Sequence, residues 1–251
     1  MADSATRETG TLWQRRARGF CQNLLPQSRV QKCWCSTASD QCSDPKSPQE
    51  ALVSSYPYSH GAYDLQGFRV FSGCEVTVAE RADFIVLGEI RDIWDLDHAF
   101  PRPLFEGYSV PAPDFLKTAR GKNVILIAAH PYCEGKELAK LPLAEVLAHV
   151  DTVEVNGRDH GSERRVASLA AEAGLPLTGG SDAHYYLEVG TRSTILPSNA
   201  LTFERVRSAL KANRTRVHCK PYARSVGEPC KQIKRALKVR MEYAASTTAA
   251  A

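Results

Sequence analysis

Five side chains with metal-ligating donors stand where predicted strands end or pass: Glu75, His130, Glu154, Asp182 and His184. His130 directly follows the apolar run Val124-Ile125-Leu126-Ile127-Ala128. Glu154 lies in the next strand signal, with Asn156 and Arg158 just beyond it, and Ser181, Asp182 and His184 follow the strand after that. Glu75 comes after the strand-like Phe68-Arg69-Val70-Phe71-Ser72-Gly73. Carboxylates and imidazoles gathered in one place suit Zn, Mn or Fe. Singly, each has an ordinary structural reading. Glu154 can pair with Arg158, Asp182 can cap the segment that follows it, and His130 can be a satisfied core group. Their recurrence at strand end after strand end is what points to a shared site. Burying several carboxylates without cations would also be costly.

The elements that must position these residues are read from periodicity. Strands are predicted over residues 68–73, 84–88, 124–128, 152–155 and 192–196, with another beginning at 175–178. The 124–128 run is apolar at every position, as in a strand buried on both faces. Helices are predicted over 114–120, 142–149, 161–173 and 202–213. In the third of these, Val166, Leu169, Ala170 and Ala173 form one stripe, and Gly174 ends it. Residues 91–113 contain Pro101, Pro103, Pro111 and Pro113 and read as a long loop. The alternation implies parallel strands joined by crossover helices, whose strand-end loops collect at one face.

Composition bounds the rest. Hydrophobic residues make up 43% and charged residues 24%, enough for a sizeable core and too apolar for wholesale disorder. No run approaches the ~18 apolar residues of a membrane helix, and residue patterns near the start lack a secretory signal. Eight cysteines without a C-x-x-C pair fit reduced thiols and a cytoplasmic protein. Cys33, Cys35 and Cys42 match no common zinc spacing. Three segments are expected. Residues 1–60 read as irregular, 61–218 as an α/β barrel, and 219–251 as a basic tail with a helix over 231–241. Residues 61–203 carry 13 Lys/Arg against 20 Asp/Glu, and residues 204–251 carry 12 against three. An acidic middle can serve an anionic substrate only if bound cations neutralise it. The basic tail reads first as a helix with a solvated face, and secondly as a nucleic-acid contact.

Ala129-His130-Pro131, Val153-Glu154-Val155-Asn156-Gly157-Arg158 and Gly180-Ser181-Asp182-Ala183-His184, followed by Glu188-Val189-Gly190, resemble the PHP (polymerase and histidinol phosphatase) superfamily. The likeness spans about residues 66–216 and is nearest the small stand-alone phosphoesterases. Gly73-Cys74-Glu75-Val76 is similar to the family's G-x-E step. The resemblance implies a distorted (β/α)7-type PHP barrel holding two or three divalent ions of Mn, Zn or Fe. It implies metal ligation by Glu75, Asp83, His130, Asp182 and His184, with Asp83 standing where many relatives have His. Asn156 and Arg158 would line the pocket, and Arg158 or Arg192 would hold a phosphate oxygen. Asp182 and His184 would be catalytic, with His184 able to protonate the leaving oxygen. Glu154 matches a further position of the family's pattern. The sequence departs from the pattern before Glu75. The family's His-x-His and Asp-His motifs are missing there, and His60 is the sole earlier histidine. The barrel is therefore expected to be incomplete at its N-terminal strands.

The function implied is metal-dependent hydrolysis of a phosphate ester: a nucleotide, a small phosphomonoester or an oligonucleotide end. The rival from another class is a catalytically impaired PHP remnant acting as a binding or structural module. A nucleic-acid binder acting through the basic tail is a third reading. An amidohydrolase-like barrel is a fourth, but it too would need a His-x-His.

Overall fold

Val124–Ala128 is buried at every residue, and its side chains alternate between two cores. In a computed structural model, described for residues 24–26, 58–65, 68–102, 104, 109–136, 138–184 and 186–248, this strand is the middle of a five-stranded sheet. In chain order the strands are β1 (Leu24–Pro26), β2 (Tyr58–Ser59), β3 (Ala62–Leu65), β4 (Phe68–Phe71), β5 (Gly73–Thr77), β6 (Asp83–Gly88), β7 (Val124–Ala128), β8 (Thr152–Asn156), β9 (Leu177–Gly180), β10 (Arg192–Leu196) and β11 (Arg216–Cys219). The helices are α1 (Ile90–Asp97), α2 (Ala112–Arg120), α3 (Leu143–His149), α4 (Glu163–Glu172), α5 (Phe203–Lys211) and α6 (Ala223–Thr248). Strands β5 to β9 form the main sheet in sequence order. Strands β2, β3 and β4 form an antiparallel meander, and β10 pairs with β1 on one side and β11 on the other.

One correction concerns strand direction. The βα rhythm that begins at residue 124 predicts parallel strands, as β7, β8 and β9 are, but the parallel barrel expected to include the strand of Glu75 does not extend through β6, which runs antiparallel to both β5 and β7. The reason is chain length. Only residues 78–82 join β5 to β6, and a parallel crossover needs a dozen or more residues. Arg81 closes that turn at φ 63°. A second correction is α1, which occupies the start of the predicted 91–113 loop and buries Ile93 and Leu96. Helix α6 is longer than expected, runs through Pro229 and begins upstream of residue 231. Of residues 1–60, expected to be irregular, the described parts are Leu24–Pro26, which pairs parallel with β10, and residues 58–60. The remainder, with Cys33, Cys35 and Cys42, lies outside the described residues. No closed barrel is present among the described residues, which agrees with a distorted, incomplete barrel.

Strand alternation divides the sheet into two faces. Cys74, Val76, Phe84, Val86, Leu126, Val153 and Val155 point to one core with Phe115 of α2 and Val166 of α4. Ile85, Leu87, Ile125 and Ile127 point to the other, covered by Phe203, Val206 and Leu210 of α5. The register carries this second face further. Glu75 is opposite Ile85, Ile85 opposite Ile127, and Ile127 opposite Thr152, so Glu75, Asp83, Glu154 and Asn156 share the α5 face. That face is apolar under α5 and polar towards the C-terminal ends of β5, β7 and β8. Because β6 is reversed, its first residue, Asp83, arrives at the same end.

The second sheet is held close to the first through Thr194. Its hydroxyl accepts from Gly179 N (2.8 Å) and donates to Gly179 O (3.2 Å). A Cβ at Gly179 would lie 2.8 Å from Ser193 O, so this approach requires glycine.

Helix α5 is capped by Thr202, whose Oγ1 accepts from Arg205 N at 3.3 Å. Thr202→Ala is expected to lower stability by about 1 kcal/mol, read as a lower urea midpoint with an unchanged slope.

Candidate metal centre

His130 leaves the end of β7 with φ 29°, and Asp182 leaves the end of β9 with φ 46°. Neither is glycine, and left-handed backbone of this kind costs of order 1–3 kcal/mol and persists only where the surroundings hold it. Both are residues that the sequence pattern singled out for chemistry.

The imidazole of His130 is 5% exposed. Its Nε2 lies 3.2 Å from Glu75 Oε1 and 3.4 Å from Asp83 Oδ2. Donor atoms of Glu75, Asp83 and His130 all fall within 4.8 Å of one another. Asp83 is buried and its Oδ1 accepts from Thr77 Oγ1 at 2.7 Å, while Lys136 Nζ forms an ion pair with Oδ2. Glu75 is the solvent-facing member of the group.

A chain of hydrogen bonds links this group to a second one. His130 N donates to Glu154 Oε2 (3.1 Å), and Asn156 Nδ2 donates to the same oxygen (3.4 Å) and to Asp182 Oδ2 (3.2 Å). Asp182 Oδ1 lies 3.3 Å from His184 Nε2, and Asp182 Oδ2 lies 3.8 Å from Arg158 Nη1. Glu188, on the 3-10 turn Tyr186–Glu188, braces both arms: its carboxylate accepts from His184 N (2.9 Å) and lies 3.5 Å from Arg158 Nε. Glu75, Asp83, His130, Glu154, Asn156, Arg158, Asp182 and His184 are thus brought together.

Arg192 is not. It is 1% exposed, and its Nη2 contacts Glu163 Oε1 (2.5 Å) and Cys219 Sγ (3.5 Å). The phosphate-holding role expected for it finds no support in this placement, because a guanidinium buried against Glu163 is already neutralised. Three participants had no role in the sequence reading: Lys136, Thr77 and Glu188. Lys136 is in the loop that follows His130, and Glu188 opens a quoted motif, but no periodicity marks a residue that acts on another's carboxylate or backbone.

The electrostatics follow from burial and proximity. Burial alone would push the His130 imidazole down. The Glu75 hydrogen bond and the charges of Glu154, Asp182 and Glu75 outweigh it and hold the ring up at about 9. Burial pushes Glu154 up to about 7, against the pull of His130. Burial would raise Asp182 as well, but His184, His130 and Arg158 hold it below the usual carboxylate range. His130 and Glu154 therefore bind more protons in the folded chain than in the unfolded one. The His130 contribution is full below 6.5 and is lost as pH rises through about 9; that of Glu154 is lost between 4.5 and about 7. Metal-free protein is thus expected to lose stability from pH 5 to pH 9. Urea unfolding at fixed ionic strength across that range checks it, and rising stability would contradict it.

The donor set fits a divalent cation. Separations of 3.2 and 3.4 Å between His130 Nε2 and the carboxylate oxygens match the spacing of ligands about 2.1 Å from a shared ion. The Nδ1 of His130 is buried without a hydrogen-bond partner among the described residues, so nothing else in this group fixes its tautomer. Two carboxylates and one imidazole suit Mn, Fe or Zn.

A family model described as PHP-associated matches residues 161–215, the segment that holds the Ser181-Asp182-Ala183-His184 element. Among solved structures, the chain is similar to PsfC from Pseudomonas syringae PB-5123, at 22% identity over 71% of this chain and 72% of that one, with a TM-score of 0.58. At that identity the likeness shows a shared fold. The chain is also similar to the lesion-specific endonuclease PfuEndoQ from Pyrococcus furiosus (18% identity, TM-score 0.52, 65% of this chain and 44% of that one). Endonuclease Q in complex with a 27-mer duplex substrate carrying an abasic lesion at the active site is a further structural neighbour (19% identity, TM-score 0.50, 65% of this chain and 45% of that one). The chain spans less than half the length of these two endonuclease chains. No curated protein matches.

Proposed function

We propose that the chain is a divalent-metal-dependent phosphoesterase. One observation carries the reading: Glu75 from the middle of β5 (not beyond a strand over 68–73, as its sequence position suggested), Asp83 from the start of β6 and His130 from beyond β7 present donor atoms within 4.8 Å of one another. These three residues would hold a Mn, Zn or Fe ion. Such an ion supplies Lewis acidity and the positive charge that an anionic ester needs beside so many carboxylates.

The chain's own residues do the rest. Asn156 is buried and joins the two groups through Glu154 and Asp182, so it positions the pocket, and the partly exposed Arg158 beside it is assigned the orientation of phosphate oxygens. Asp182 holds His184 through Nε2, and His184 is assigned the transfer of a proton to the leaving oxygen. Were a further ion bound beside them, Asp182 and His184 would be its donors, and His184 would then not be the proton donor. Glu154 accepts from the backbone of His130 and so fixes the ligand-bearing turn.

The substrate class is a nucleotide, a small phosphomonoester or an oligonucleotide end. The similarity to a DNA-lesion endonuclease favours a nucleic-acid substrate over a small phosphomonoester. The exposed Arg224, Arg235 and Arg240 of α6 offer that strand a basic flank. The four described cysteines, Cys74, Cys133, Cys219 and Cys230, are free thiols, which suits a cytoplasmic setting. No described helix is long and apolar enough to cross a membrane.

The missing His-x-His favours a second reading, a PHP remnant that binds without catalysis. Protein purified with Mn²⁺ or Zn²⁺ and assayed on a generic phosphate diester, a monoester and a 5′-labelled oligonucleotide separates the two. The enzyme reading expects turnover that EDTA abolishes and metal restores, with one or more ions per chain. Inactivity on all three substrates with less than half an ion per chain would establish the remnant.

A further inference from the structure

Lys136 is placed too deliberately to be a surface lysine. The loop after β7 folds back in two successive turns, with Cys133 N donating to His130 O (3.0 Å) and Lys136 N donating to Cys133 O (3.1 Å). Gly135 makes the bend at φ 80°, and Arg81 Nη2 ties the Gly135 carbonyl to the β5–β6 turn at 3.3 Å. This brings the Lys136 ammonium onto Oδ2 of Asp83, a carboxylate that is 1% exposed. The other oxygen, Oδ1, is filled by Thr77. Oδ2 is therefore the oxygen of Asp83 that a metal would take together with His130 Nε2, and Lys136 sits on it.

The structure assigns to Lys136 the part of a tethered cation that competes with the metal for Asp83 and so sets the metal affinity of the centre. This inference rests on the metal-centre reading above. When no metal is bound, the ammonium on Asp83 adds to the His130 ring, which lies against both Glu75 and Asp83, so the acidic cluster stays assembled. A divalent ion must break the Lys136–Asp83 pair to enter, and the affinity seen is the intrinsic one reduced by that competition. Lys136 is half-buried and on a long flexible stem, so the ammonium can swing out without unfolding the loop.

Calorimetric titration of Mn²⁺ into metal-stripped wild type, Lys136→Met, Lys136→Gln and Lys136→Arg tests it. The neutral variants are expected to bind about threefold to fivefold more tightly, the size of effect when a partly exposed ion pair no longer has to be broken. Lys136→Arg is expected to stay near wild type. Metal-free Lys136→Met is expected to melt below wild type, because the acidic pair has lost a counter-ion. Lys117→Met, on α2, controls for net charge; tightening as large as that of Lys136→Met would overturn the proposal. Equal or weaker binding by both neutral variants, with wild type binding normally, would overturn it while leaving the metal centre intact. Absence of binding in every variant and in wild type would remove the metal centre and this proposal together.

Discussion

His130→Ala is expected to abolish tight metal binding and lower kcat/KM by more than about 100-fold. Loss of groups one shell outside a metal already costs about 10–100-fold in affinity or activity, and His130 is placed as a direct ligand. It also joins the two halves of the site. Its Nε2 faces Glu75 and Asp83, while its backbone N–H holds Glu154, which is shared with Asn156 and through it linked to Asp182. The alanine variant retains the backbone link and loses the ligand, so the folded state should survive with a weakened acidic cluster. Far-ultraviolet circular dichroism and metal titration on the same sample separate ligand loss from unfolding. A folded variant that turns over at the wild-type rate would show that the ring has no part in the chemistry.

The second large effect is expected at Gly157, a residue with no chemistry of its own. Its N–H donates to Gly180 O at 2.7 Å, which stitches the end of β8 to the end of β9. A Cβ there would lie 2.7 Å from Ser181 O and 2.8 Å from Ser181 Cα. Those are backbone atoms and cannot rotate away, so the two strand ends must part. Gly157→Ala is expected to cost about 1–3 kcal/mol, the range for overpacking a filled site. The same displacement pulls Asp182 from Asn156, so activity should fall further than stability alone explains when both are measured at a temperature where the variant is folded. Wild-type stability and activity in Gly157→Ala would show that the strand ends are not held as closely as described.

Much of this arrangement is legible in the sequence because it depends on periodicity. The run Val124–Ala128 is apolar on both faces, and so it is central. Glu154 and Asn156 stand two apart, which puts them on one face of β8, and the residues after β7 and β9 fall at the same end because those strands are parallel. Strand direction in β5 and β6 was misread because apolar alternation is the same for either direction; the five-residue connection was the available clue. Helix α1 was hidden by the prolines that follow it, although Ile93 and Leu96 sit at helical spacing. Arg192 shows the opposite case: its residue type suits phosphate, but only packing shows that its Nη2 meets Glu163 away from the other site residues. Lys136 and Glu188 act through long-range contacts that no local pattern encodes.

The central claim is that one cation sits among Glu75, Asp83 and His130. Anomalous diffraction at the zinc edge, from crystals grown with Zn²⁺, reads this directly. The account predicts a peak about 2.0–2.2 Å from the His130 Nε2 atom and from one oxygen each of Glu75 and Asp83. A bound zinc elsewhere on the chain, with those three side chains still joined only to one another, would contradict it.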